Sequence, residues 1–219
     1  FCLRHGYIYD GHKWSIRHLD WLKKLDLSEL YRETLNEYMT SYEEQTAKIE
    51  RFDKRIEELA ADSDYHENVR KLSCLLGIQT YTALSLIVET GDFKRFRKGN
   101  TYAAFLGLAP GESSSGEKIS RTGISRLRTL LIEAATGICK GQVGHKSKAL
   151  CARQAGNPAE VITYADRGNI RMRSKYKRMI RHEKKRNVAV AAIARELACY
   201  VWGIMTNHIE PREEGKKAA

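Results

Sequence analysis

The stretch Leu35-Asn36-Glu37-Tyr38-Met39-Thr40-Ser41-Tyr42-Glu43-Glu44-Gln45-Thr46-Ala47-Lys48-Ile49-Glu50-Arg51-Phe52-Asp53-Lys54-Arg55-Ile56-Glu57-Glu58-Leu59 decides the architecture. Leu35, Tyr42, Ile49 and Ile56 recur every seven residues, and Tyr38, Gln45, Phe52 and Leu59 fill the intermediate positions. That repeat keeps apolar side chains on one narrow stripe of a helix, the a/d seam of a coiled coil, with Gln45 as one polar d position. Glu43, Glu44, Lys48, Glu50, Lys54, Arg55, Glu57 and Glu58 surround the seam. The spacing predicts one long helix over 28–60, a coiled coil reaching to residue 62. Its partner is either a second copy of the chain or, alternatively, an element of the same chain. Ala60-Ala61-Asp62-Ser63-Asp64 ends it.

Outward on the N-terminal side, residues 1–27 read as a short helical linker. Tyr7, Ile8, Tyr9 and Gly11 make a turn, and Trp14, Ile16, Leu19, Trp21 and Leu22 a short helix with a wide apolar face. Two tryptophans this close are packing anchors. The chain opens on Phe1-Cys2-Leu3-Arg4-His5-Gly6, which reads like the interior of a longer protein.

On the C-terminal side, residues 66–91 read as helix, hairpin, helix. Val69, Leu72 and Leu75 share a face, Leu76-Gly77-Ile78-Gln79 is the hairpin, Ala83, Leu84 and Ile87 continue, and Gly91 is a C-cap. Such hairpins offer backbone N–H groups to phosphates, although plain packing accounts for one as well. Phe93 to Asn100 is a basic turn with Lys94, Arg95, Arg97 and Lys98, and Asn100 is placed to cap a helix over 101–107. Leu127, Leu130, Leu131, Ala134, Ala135 and Ile138 fall at i, i+3, i+4, i+7, i+8 and i+11, an amphipathic helix. Val188 to Met205 is a dense apolar helix that closes the core, and no strand-like alternation occurs.

Between two of these helices lies Leu106-Gly107-Leu108-Ala109-Pro110-Gly111-Glu112-Ser113-Ser114-Ser115-Gly116. Pro and Gly mark a loop. Three hydroxyls beside a glycine, followed by Arg121, Arg126 and Arg128, suit a phosphate, because helix N-termini carry unpaired N–H groups and partial positive charge. A plain solvated Ser-rich turn is the alternative. Arg126 and Arg128 oppose the dipole of the helix they open, which favours a bound anion.

The 38 Lys+Arg against 27 Asp+Glu leave a net charge of +11. That points to a polyanionic partner, nucleic acid ahead of a membrane surface. From Lys140 to Arg186 fourteen cations face three acids, and Arg171-Met172-Arg173-Ser174-Lys175-Tyr176-Lys177-Arg178 is basic on nearly every helical face. Phosphate-backbone binding by Arg171, Arg173, Lys175, Lys177 and Arg178 is expected. Cys2, Cys74, Cys139, Cys151 and Cys199 are odd in number and without a CxxC, which predicts reduced, buried thiols and neither disulfides nor a metal site. No signal peptide is seen and no run is expected to reach the roughly 18 apolar residues of a membrane span. An intracellular, cytoplasmic protein with no membrane partner is expected.

These stretches, in order, resemble the transposases of the insertion-sequence 110/116/902 family. The resemblance rests on Leu76-Gly77-Ile78 through Ala83, Glu89-Thr90-Gly91-Asp92-Phe93 with Arg95-Phe96, and Leu106-Gly107-Leu108-Ala109-Pro110 with Ser114-Ser115-Gly116. Arg121-Thr122-Gly123, Leu127-Arg128, Glu133-Ala134-Ala135, Ala189-Val190-Ala191 and Ala194-Arg195-Glu196-Leu197 follow. The sequence departs from the family pattern in a short Gly116–Arg121 segment, in Ile124 where Asn is usual, and in Thr136-Gly137 where an aromatic is common.

The resemblance implies a mostly α fold: a coiled-coil helical arm, then a compact helical transposase domain over 66–209 with a helix-hairpin-helix-like start, and a disordered tail over 210–219. It implies Ser115 as the nucleophile, with Ser113 and Ser114 as less favoured neighbours, and Lys118, Arg121, Arg126 and Arg128 on nucleic acid. Mg²⁺ is implied for the complete enzyme through an N-terminal acidic RNase H-like domain absent from this sequence, with none bound by this chain. Implied partners are DNA, a guide RNA encoded by the element in some members, and further copies through the coiled coil, in the bacterial cytoplasm at the nucleoid. The alternative is a catalytically inactive, dimerising nucleic-acid-binding remnant of such a transposase.

Overall fold

The structure is a computed structural model and describes residues 1–109 and 124–209. It contains nine α-helices and no strand among the described residues, the mostly α fold expected. The chain divides into two compact units, Phe1–Arg55 and Ile56–Ala219.

The first unit comprises a 3₁₀ turn (Cys2–His5), α1 (Ile16–Lys23) and most of α2 (Glu29–Ala60). Ser15 caps α1, its Oγ accepting from the His18 N–H at 3.2 Å. Arg32 of α2 donates to the carbonyls of Leu22, at 3.2 Å, and of Leu25, which ties down the connection between the two helices. Trp14 stacks on Tyr42 with centroids 4.7 Å apart, and His5 lies 4.3 Å from Tyr31. Leu22 and Leu35 are the buried apolar side chains of this unit. The heptad stripe is therefore shared. Leu35 is buried and Tyr42 is covered by a ring from residues 1–27, whereas Gln45, Ile49 and Phe52 face solvent, the last two 59% and 51% exposed.

The second unit begins with the last turn of α2, where Ile56, Leu59 and Ala60 join the main core. It continues through α3 (His66–Leu72), α4 (Thr80–Thr90), a 3₁₀ turn (Phe93–Arg95), α5 (Gly99–Phe105), α6 (Ser125–Cys139), α7 (Lys148–Gln154), α8 (Ala159–Arg181) and α9 (Arg186–Met205). The axis is α9, which packs against α5, α6, α8 and α3. Ala189, Val190, Ile193, Ala194, Leu197, Ala198, Val201 and Ile204 are all buried along it. Enclosure by several helices explains why α9 is apolar on most of its surface. Its 20 residues are long and apolar enough to cross a membrane by length and composition, which corrects the expectation that no run comes near that limit. In this fold the apolar residues form the core.

The hairpin needs its glycine. Gly77 has φ +79°, and a Cβ there would lie 2.5 Å from the Ala134 carbonyl oxygen of α6. No L side chain meets both conditions without strain. Gly91 ends α4 at φ +67°, as expected. The cap at Asn100 is not formed. Helix α5 starts two residues earlier, Lys98 is its N-cap, and the Asn100 side chain instead accepts from the Cys199 thiol at 3.6 Å. The thiols are free, and Cys74 is buried, but Cys151 is exposed, against the expectation of burial for all five.

Candidate nucleic-acid interface

Ser115, Lys118 and Arg121 lie outside the described residues, as do Ser113, Ser114 and Gly116. Their two anchors are within them. On the near side, Tyr102 of α5 is buried, its hydroxyl 3.1 Å from Thr90 Oγ1 of α4, and Leu106 and Leu108 are buried behind it. Burial of the Tyr102 ring pushes its phenol well above the ordinary tyrosine range. On the far side, α6 opens at Ser125, and Leu127 and Leu131 fix it in the core.

Arg126, on the first turn of α6, is held by α4. Its Nη2 donates to Tyr81 Oη at 3.0 Å, and its Nε lies 3.2 Å from Glu89 Oε1. The hydrogen bond to Tyr81 and the Glu89 charge hold the guanidinium more firmly cationic. A cation at a helix N-terminus thus has an internal counter-charge, so the unfavourable dipole does not by itself call for an external anion. Glu89, which resembles an ordinary helix-end carboxylate in sequence, is that partner. Arg128 is half-buried on the same turn.

The basic run of α8 is split by the fold. Arg173 is only 8% exposed. Its Nε donates to the Ile138 carbonyl at 3.2 Å, and its Nη1 donates to those of Gln142 and His145, both at 2.7 Å. It closes the C-terminal end of α6, where carbonyls lack helical partners and the dipole is negative. Burial lowers its pKa somewhat. Arg173 is therefore inside the domain and not on the surface the sequence assigned to it. Arg171 and Lys175 share one carboxylate of α9: Arg171 Nε and Lys175 Nζ each lie 2.6 Å from an oxygen of Glu196. Lys177 and Arg178 are exposed and have no ion pair among the described residues. Sequence reading missed Glu196. The signal was the one acid of a largely apolar helix, legible only once α8 and α9 are known to pack together.

Beside the hairpin, Gly77, Gln79, Tyr81 and Thr82 face Leu130, Glu133, Ala134 and Gly137 across an open cleft of about 380 Å³. Among the described residues no three His, Cys, Asp or Glu side chains gather into a metal-binding group.

Comparison with known proteins adds the following. Residues 69–150 match the family described as Transposase IS116/IS110/IS902. The transposase of insertion sequence element IS1533 from Leptospira borgpetersenii is 29% identical over 179 residues, 78% of this chain and 51% of that protein. The Sinorhizobium fredii protein y4qE is 31% identical over 211 residues, 93% of this chain and 50% of that protein. The transposase of IS1111A from Coxiella burnetii is 36% identical over 114 residues, 47% of this chain and 31% of that protein. The chain spans about half the length of the first two relatives and less of the third.

Proposed function

Starting from the IS116/IS110/IS902 transposase family, to which this chain belongs, we propose that it is the DNA-engaging part of a transposase that cleaves and rejoins DNA through Ser115. The observation that carries this reading is the family match over 69–150. That match encloses the serine loop, and the buried Leu106–Leu108 and α6 segments flank the loop on either side.

In the proposed step, Ser115 Oγ attacks a DNA phosphorus. A P–Oγ bond forms and the P–O3′ bond breaks. The serine proton passes to a base, and the departing oxygen takes up a proton to become a free 3′-hydroxyl. A serine hydroxyl needs such help to act as a nucleophile. Arginine's planar fork suits the non-bridging phosphate oxygens, the role given to Arg121 and Arg128. Lys177 and Arg178 hold the backbone farther off. Mg²⁺ belongs to an acidic domain outside this sequence, and no step on this chain runs through it. Copies associate through the exposed Ile49 and Phe52 stripe. Choice of target by an element-encoded RNA is the family's route to specificity, and this sequence shows no base-reading motif of its own. The site of action is the bacterial nucleoid in the cytoplasm.

The test is capture of a covalent adduct on labelled DNA, with Mg²⁺ and the acidic domain supplied in trans. An adduct with the native chain that disappears in Ser115→Ala is expected. An adduct that persists in Ser115→Ala overturns the assignment. Salt-sensitive binding with no adduct under any supplement leaves the second reading, an inactive dimerising remnant, which the exposed seam also supports.

A further inference from the structure

A compact, uncompensated positive patch lies on the turn between α4 and α5. Lys94, Arg95, Arg97 and Lys98 occupy four of five consecutive positions, all are exposed, and none has an ion pair among the described residues. Four other cations of the domain are neutralised internally by contrast: Arg126 by Glu89, Lys146 by Asp166, and Arg171 and Lys175 by Glu196.

The turn is also built to stay in place. The Asp92 carboxylate, the segment's one acid, accepts from the Lys94 N–H at 2.8 Å and so caps the 3₁₀ turn. Phe93 and Phe96 are buried beneath it. Trp202 of α9 donates its indole N–H to the Phe96 carbonyl at 3.0 Å. The Arg95 guanidinium lies over two rings, 4.7 Å from the Phe96 centroid and 4.6 Å from that of Phe105. A guanidinium stacked by its faces keeps its N–H edge outward in one plane, which reduces the rotamer freedom lost on binding an oxyanion. A plain solvated loop requires none of these anchors. The seven residues of α5 span about 10 Å, roughly three base-pair steps of duplex, and lead straight to the segment that carries the serines.

We propose that the turn Phe93–Lys98 is a preorganised phosphate-backbone contact for duplex DNA, separate from the α8 surface. The proposal rests on the DNA-transposase reading above and adds to it where the duplex is held.

The test uses the full chain and a salt titration of binding to a short DNA duplex. The triple variant Lys94→Gln/Arg97→Gln/Lys98→Gln leaves Phe93, Arg95 and Phe96 intact and should keep the native thermal midpoint. Each phosphate contact contributes about 0.9 to the slope of log affinity against log salt, so the slope should become shallower by about 2 to 3. Affinity near 0.15 M salt should fall roughly 10-fold or more. The matched triple Lys13→Gln/Lys23→Gln/Lys24→Gln controls for net charge and should change the slope by less than one contact. Arg95→Lys, which keeps the charge but loses the planar fork, should weaken binding while leaving the slope near the native value. A native slope in the first triple, or equal losses in both triples, overturns the proposal. So does loss of single-stranded RNA binding with duplex binding intact. No duplex binding by the native chain at any salt would instead sink the DNA-transposase reading itself.

Discussion

The guanidinium of Arg173 closes the C-terminal end of α6, donating to three backbone carbonyls while almost fully buried. Truncation to Met should leave those acceptors without partners and cost about 3 kcal/mol, since unpaired buried acceptors each cost about 1–3 kcal/mol and some regain water. Urea unfolding should read this, with Arg173→Lys recovering only part, and DNA affinity measured on folded protein should stay within about twofold of native. A large affinity loss without a stability loss would return Arg173 to the interface. Gly77→Ala is the matching backbone case. The positive φ and the 2.5 Å approach to Ala134 predict a loss of about 2 kcal/mol or more. A neutral result would mean that the hairpin does not press on α6. Two thiols, the buried Cys74 and the half-buried Cys139, set a pH limit. Burial pushes both Cys74 and Cys139 up to about 11, from roughly 8.5 for a free thiol. Between those values the unfolded chain has lost the protons that the folded chain retains. Stability should therefore be flat below about pH 8.5 and fall as pH rises towards 11. The double variant Cys74→Ala/Cys139→Ala should lose part of that alkaline decline in thermal midpoint, since burial also raises Cys199, Tyr102, Tyr164 and Tyr200, and an unchanged decline would exclude these two thiols as a source.

Where α8 crosses α9, Glu196 balances Arg171 and Lys175 with its side chain only 11% exposed. Glu196→Gln keeps the shape and removes the counter-charge, so two more cations should become available to phosphate. The salt slope for DNA binding should steepen by up to about 2, while thermal stability drops slightly. A weaker, shallower binder would show instead that Glu196 organises Arg171 and Lys175 for their ligand. This crossing also marks the limit of what was legible in sequence. Periodicity located α2, α4 and α6, because an apolar face repeats locally and needs no knowledge of partners, and a dense apolar run marked α9. Glycine, as a turn and cap residue, placed the Gly77 hairpin and the Gly91 cap just as locally. It could not separate buried Arg173 from exposed Lys177 on a helix basic on nearly every face. Nor could it pair Arg126 with Glu89, 37 positions away, or Arg171 with Glu196, 25 positions away. Those partnerships depend on which helices pack, and they decide which cations remain open to an external anion. The heptad of α2 was legible as a seam, but its partial cover by residues 1–27 was not, since Trp14 and Tyr42 meet only when α1 folds back.

At the scale of the whole molecule, the charge of +11 must act through a few surfaces, because folding neutralises several of its cations internally. If the remaining exposed cations engage a duplex together, six or more phosphates are contacted. Affinity should then fall by about 10³-fold or more between 50 and 200 mM salt. Oligomerisation through α2 would multiply this, since two linked copies on one duplex bind the second time at high effective concentration. The two effects separate in one experiment. Ile49→Asp/Phe52→Asp places charge on the exposed seam without touching the cores, and should shift sedimentation towards the monomer. In that variant the slope per protomer should persist while the apparent affinity for a long duplex drops at least about tenfold. If the native chain already sediments as a monomer, the seam is not a self-association surface under those conditions. If affinity falls less than tenfold over the full salt range, the exposed basic residues act singly, and neither the α8 surface nor the α4–α5 turn presents DNA to the serine loop as a unit.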